Sequence, residues 1–167
     1  MSVMFSFAML VLLGVAAWRD VATRTIPNSV SLILIGVGML VRVRVGPAEL
    51  GLSAATALVL FLLLLVAYSR GFLGGGDVKV MSALAVGLAP LDVYRFVIAT
   101  ALAGGFLGIS YLLLSRRFVA RKSPASNSLL RRVTAVEAWR IRKRGPLPYG
   151  VAIAVGGAFV LLHPGGF

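Results

Sequence analysis

Six apolar blocks separated by short polar connections occupy most of this 167-residue chain. The hydrocarbon core of a bilayer is about 30 Å thick, so a helix of roughly 17–25 apolar residues crosses it. Hydrophobic residues make up 59% of the chain and charged ones 13%, whereas soluble domains carry about 25% charge. We therefore predict one all-α membrane domain over residues 1–167 with six transmembrane helices, which excludes a soluble or a disordered chain. The predicted spans are Val3–Ala17, Asn28–Val41, Leu50–Tyr68, Val78–Leu91, Tyr94–Leu114 and Tyr149–Leu162.

The chain has no cysteine and a single histidine, His163. This composition excludes a disulfide framework, a thiolate zinc site, a cysteine nucleophile and any motif with two histidines. We expect neither a metal nor a cofactor. No basic residue precedes the first apolar block, so we interpret that block as a true span and not as a cleaved signal peptide.

The distribution of basic residues predicts the orientation of the chain. Counted together with Lys79 and Arg95 at the starts of the fourth and fifth spans, the odd-numbered connections carry 14 Lys and Arg residues and the even-numbered ones carry three. Because Lys and Arg accumulate in cytoplasmic loops, the odd-numbered connections are predicted to be cytoplasmic. Topology and contact with anionic lipid headgroups explain the net charge of +12, so no nucleic-acid partner is needed.

The fifth connection, Ser115–Pro148, is the only long one. Apolar residues recur every three or four positions among its arginines, a pattern typical of a basic amphipathic helix on the cytoplasmic membrane surface before the last span. A second interpretation is an element that docks the substrate or a partner. The apolar positions are Leu129, Leu130, Val133, Val136, Trp139 and Ile141.

Only two of the five acids lie beside spans at the predicted cytoplasmic face without an obvious partner: Asp20 and Asp77. Placing a charged side chain in the membrane costs free energy, so an acid beside a span indicates a structural or functional role. Two neighbouring carboxyl groups share a proton, and one can then activate water while the other polarises a carbonyl group. The alternative, which composition and topology leave equally open, is that Asp77 caps a helix and Asp20 is an interfacial charge.

Local sequence around the two acids favours a functional role. Three glycines, Gly74, Gly75 and Gly76, precede Asp77, and we expect them to form an irregular backbone that admits an extended peptide. Lys79 follows, either reaching lipid phosphates or modulating the charge of the two acids. Asp20 precedes Arg24 and the Pro27-Asn28 turn within one short hairpin.

These motifs resemble the type IV prepilin peptidases. The resemblance rests on Asp20, Arg24 and Ile26-Pro27-Asn28, on Gly74-Gly75-Gly76-Asp77-Val78-Lys79, and on the late segment Pro148–Ala154. It extends over nearly the whole chain, and the three motifs occur in the family's order.

The resemblance implies an intramembrane aspartic endopeptidase of the bacterial inner membrane, which removes prepilin leaders at the cytoplasmic face. Asp20 and Asp77 match the catalytic aspartates, and the residues of the two motifs would position the substrate. The compact chain is similar to the branch that serves tight-adherence (Flp-type) pili. Larger members also methylate the new N-terminus and carry a four-cysteine zinc site; this chain lacks cysteine, so we do not carry methylation over.

The implied partners are a prepilin substrate, membrane lipids and possible further copies of the chain. The competing hypothesis is a small membrane transporter or a non-enzymatic subunit of a pilus or secretion assembly. In that case the aspartates would bind a cation or a proton, and the glycines would serve helix packing.

Overall fold

The computed structural model describes residues 3–117 and 149–163, and in this part of the chain all regular structure is α-helical. The all-α prediction is confirmed for these residues. The proposed amphipathic helix from Leu129 to Ile141 lies outside them. The helices are α1 (Val3–Thr23), α2 (Asn28–Val45), α3 (Pro47–Ser69), α4 (Gly75–Ala85), α5 (Pro90–Arg117) and α6 (Tyr149–Leu162).

The helices of the described residues pack against one another as a bundle. Helix α6 lies between α1 and α5, and α4 packs against α2, α3 and α6. Side chains of α1, α4 and α6 meet in the core, where Met9, Leu84 and Ile153 are at most 1% exposed. Gly38 allows α2 to lie close to the turn that follows α4: a Cβ on Gly38 would lie 2.9 Å from the Cα of Gly87 in that turn.

Within residues 3–117 and 149–163, four helices are long and apolar enough to cross a membrane: α1, α2, α3 and α5. Their outer faces are apolar, and on α3 the side chains of Leu58, Leu62 and Leu63 are all more than half exposed. Exposing so much apolar surface to water is unfavourable, whereas contact with lipid is not. The fold is therefore consistent with a multi-pass membrane protein.

The other two helices of the described part of the chain are shorter than a single crossing requires. Helix α4 has 11 residues and α6 has 14, which correspond to about 16 Å and about 21 Å at 1.5 Å per residue. The prediction of six spans is thus supported by helix length for four of them.

The predicted fourth span, Val78–Leu91, is not one helix, and this boundary was wrong. Helix α4 ends at Ala85, and a turn follows in which Gly87 N–H donates to the Leu84 carbonyl at 3.0 Å. Pro90 then begins α5, as expected of a residue with no N–H and a helical φ. The apolar run continues through the turn because that turn is buried, so hydropathy alone could not reveal the break.

Candidate active site

The candidate site lies at the end of the bundle where α1 and α3 end and where α2, α4 and α6 begin. It is a cavity of about 600 Å³. Asp20 and Asp77 both line it, so residues from two distant segments meet at one place, as the sequence predicted for one membrane face. The other lining residues are Arg24, Thr25, Ile26, Gly71, Phe72, Leu73, Gly74, Gly75, Gly76, Lys79 and Tyr149.

Asp20 lies in the last turn of α1 and is 8% exposed. Its Oδ2 accepts a 2.8 Å hydrogen bond from the backbone N–H of Gly150, the second residue of α6. The unpaired N–H groups and the dipole of a helix N-terminus stabilise negative charge. Helix α6 therefore holds the Asp20 carboxylate in place.

Gly150 and Tyr149 were missing from the site residues predicted from sequence. A Cβ on Gly150 would lie 2.7 Å from the Cβ of Asp20, so only glycine fits here without displacing the acid. Tyr149 lines the cavity beside it. The available signal was a tyrosine and a glycine at the start of the last apolar block, directly after Pro148. That pattern indicates where a helix begins, but it does not show that this helix start contacts Asp20.

Asp77 lies in the first turn of α4 and is also 8% exposed. Its Oδ2 accepts a 3.3 Å hydrogen bond from the backbone N–H of Gly74, the residue that precedes the helix. The helix-capping role considered from sequence is thus present. It does not compete with a role in the cavity, since the capped carboxyl group also lines that cavity.

The surroundings of Asp77 favour its protonated form. Asp77 lies outside the four helices long enough to span a membrane. Burial, and then the negative charge of Asp20, raise the pKa of Asp77 from 3.8 to about 6, against the opposing effects of the Gly74 amide and the Arg24 charge. The two carboxyl groups therefore interact electrostatically, and one of them is suited to keep a proton at mildly acidic pH.

Arg24 lines the cavity and has an unfavourable, left-handed backbone conformation. It follows the end of α1, where its N–H donates to the Asp20 carbonyl at 3.0 Å, and its φ is +56°. This left-handed position normally carries glycine, and another residue there costs about 1–2 kcal/mol. The turn thus places Arg24 in the cavity that both acids line, where its positive charge acts on Asp77.

The three glycines before Asp77 do not form the irregular strip expected from sequence. Gly75 and Gly76 are the first two residues of α4, and Gly74 before them is extended, with φ −79°. The expectation was wrong because a helix can begin at glycine where neighbouring side chains pack on it. A Cβ on Gly75 would lie 3.5 Å from the Tyr68 ring, and one on Gly76 would lie 3.5 Å from Ile26. All three glycines still line the cavity.

Lys79 joins the two segments that carry the acids. Its Nζ donates a 3.1 Å hydrogen bond to Oδ1 of Asn28, the first residue of α2. Pro27 precedes α2 with an extended backbone, φ −62° and ψ 141°. Pro27 and Asn28 lie beside the described lining of the cavity and not within it, unlike Lys79.

No group of three His, Asp or Glu side chains within residues 3–117 and 149–163 is arranged to hold a metal ion. The described cavity offers two carboxylates, two basic side chains, backbone amides and an apolar wall. Such an arrangement can bind a peptide and transfer protons within it.

The fold and the site define the class of protein: it is a helical bundle with a pair of buried acids, and therefore an acid–base site, at one end. Residues 7–109, which include both Asp20 and Asp77, match the model of the type IV leader peptidase family. The chain belongs to this family, and membership supports a peptidase and therefore a hydrolase. Comparison with curated proteins and with solved structures found no match.

Proposed function

We propose that this protein is an aspartic endopeptidase that cleaves the leader peptide of type IV, Flp-like prepilins at the cytoplasmic membrane face. One observation carries the proposal: two buried aspartates from α1 and α4 line the same cavity, and each accepts a backbone hydrogen bond at a helix N-terminus. Family membership supports the peptidase assignment.

In the proposed mechanism the two acids take different roles. Asp77, whose pKa is raised to about 6, donates its proton towards the carbonyl oxygen of the peptide bond. Asp20 accepts a proton from water while the water oxygen bonds to the carbonyl carbon. The C–N bond then breaks, and the amine leaves with a proton returned by the pair. The reaction consumes one water molecule and needs no other reactant.

The proposed substrate enters from the end of the bundle that carries the odd-numbered connections. There Arg19 lies near the end of α1 and Arg70 directly follows α3, which is the pattern of a cytoplasmic face. A prepilin with a hydrophobic segment in the bilayer and its leader in the cytoplasm would bring the junction between the two to this level. The protein would then be a multi-pass protein of the bacterial inner membrane.

The test is cleavage of a tagged Flp-type prepilin in bacterial membranes that contain the full chain. We expect Asp20→Asn and Asp77→Asn each to abolish the size shift of the prepilin. Asp92→Asn, the same chemical change at the opposite end of the bundle, should leave it intact. Activity should also persist in EDTA. Full cleavage by either site variant would contradict the proposal.

A further inference from the structure

Phe72 occupies an unusual position at the end of α3. The helix closes with two hydrogen bonds, from Gly71 N–H to the Tyr68 carbonyl at 2.9 Å and from Phe72 N–H to the Ala67 carbonyl at 3.0 Å. Gly71 has a φ of +76°. Together these features define a Schellman motif, which fixes the backbone of Phe72 relative to α3.

The side chain of Phe72 departs from what this motif usually does. An apolar residue after the glycine commonly packs back on the last turn of its helix. Phe72 is instead 71% exposed and lines the cavity that holds Asp20 and Asp77. Burying a phenylalanine side chain yields about 1.5–3 kcal/mol, so the exposed ring can gain from an apolar group that enters the cavity.

Other residues that line the cavity near this ring are also apolar. Leu73, the next residue, and Ile26, before α2, line the same cavity and are partly buried against the core. The cavity volume of about 600 Å³ falls in the range of about 300–1,000 Å³ common for ligand sites. It therefore has room for side chains of an extended peptide as well as for the bond to be cut.

We infer that Phe72 is a specificity-determining residue, which contacts an apolar side chain flanking the cleaved peptide bond. The inference rests on the proposed function, because it takes the occupant of the cavity to be a peptide. Gly74, two residues later, donates to Asp77, so the Phe72 ring is attached to the same short loop that holds one acid. A side chain next to the cleaved bond would therefore lie within a few ångströms of this loop, since successive residues are about 3.3–3.6 Å apart in an extended chain.

The experiment compares prepilin variants that carry Ala, Leu or Phe on either side of the cleaved bond. With the wild-type enzyme we expect higher kcat/KM for Leu and Phe than for Ala at one of the two positions. Phe72→Ala should lower kcat/KM about tenfold for the Leu and Phe substrates, chiefly through KM, and change it less than about twofold for Ala. Phe72→Leu should restore part of the preference.

Phe106→Ala is the matched control, because Phe106 on α5 is 72% exposed and lies outside the cavity lining. It should leave the preference unchanged. If Phe72→Ala and Phe106→Ala reduce cleavage of all substrates alike, the Phe72 ring contacts lipid and the inference is wrong. An unaltered preference in both Phe72 variants would also overturn it. Cleavage by Asp77→Asn would instead contradict the proposed function, so the two failures are distinguishable.

Discussion

The backbone amide of Gly150 donates a 2.8 Å hydrogen bond to Oδ2 of Asp20, across 130 residues of chain. This bond makes α6 part of the candidate site, although α6 follows the matched region of residues 7–109. The last helix thus supplies the charge-stabilising end that positions an acid of the first helix.

Gly150→Ala should strongly reduce prepilin cleavage. The new methyl group would lie 2.7 Å from the Cβ of Asp20 and would displace the carboxylate. A misplaced catalytic group of this kind lowers kcat on the order of 10–100-fold. Gly105→Ala on α5 is the control, because nothing lies within 4 Å of a Cβ there. Equal activity of the two variants would show that the contact does not position Asp20.

Asp77→Asn should stabilise the protein at neutral pH. The pKa of Asp77 is about 6 in the folded protein and 3.8 ordinarily, so its stabilising contribution is complete below pH 3.8 and is lost as pH rises through 6. The variant should therefore gain on the order of 2–3 kcal/mol relative to wild type between about pH 4 and pH 7. Thermal unfolding in detergent at several pH values measures this difference.

The control for that measurement is Phe106→Ala, which changes no titratable group. Its effect on stability should be the same at every pH. An Asp77→Asn effect that is equally independent of pH would mean that the carboxyl group is not held in its protonated form by the fold.

Cleavage should fall with rising pH above about 6, because the proposed mechanism requires a proton on Asp77, whose pKa is about 6. The positive charge of Arg24 lowers this pKa, so Arg24→Gln should move the falling limb of the kcat/KM profile to higher pH. Arg24→Lys should keep the wild-type profile. Arg19→Gln, at an exposed position outside the cavity lining, is the matched control. If the falling limb of the kcat/KM profile stays at the same pH in Arg24→Gln, the proposed role of Asp77 as the proton donor is wrong.

The hydrogen bond between Lys79 and Asn28 should couple the two acid-bearing segments. Lys79→Met and Asn28→Ala should each lower kcat, and the double variant should lose less than the product of the single losses. A coupling of about 0.5–1.5 kcal/mol is expected for one such bond. Arg70→Met, which removes an exposed basic residue from the connection between α3 and α4, gives the comparison. Fully independent effects would show that the bond does not position the acids.

The sequence could predict the features that depend on neighbouring residues. Apolar runs located the helices, and the last predicted span, Tyr149–Leu162, coincides with α6. Counting basic residues in the connections assigned Asp20 and Asp77 to the same face, and the structure places both in one cavity. Composition was informative here because a bilayer admits few arrangements other than apolar helices.

Tertiary structure alone decided how these pieces meet. The break after Ala85 lies in a buried turn that stays apolar, so hydropathy continued through it. The contact of Gly150 with Asp20 joins positions 130 residues apart, and the exposed ring of Phe72 depends on how α3 ends beside α4. Local pattern reports which residues avoid water, but the packing of helices against one another determines which groups come close enough to react.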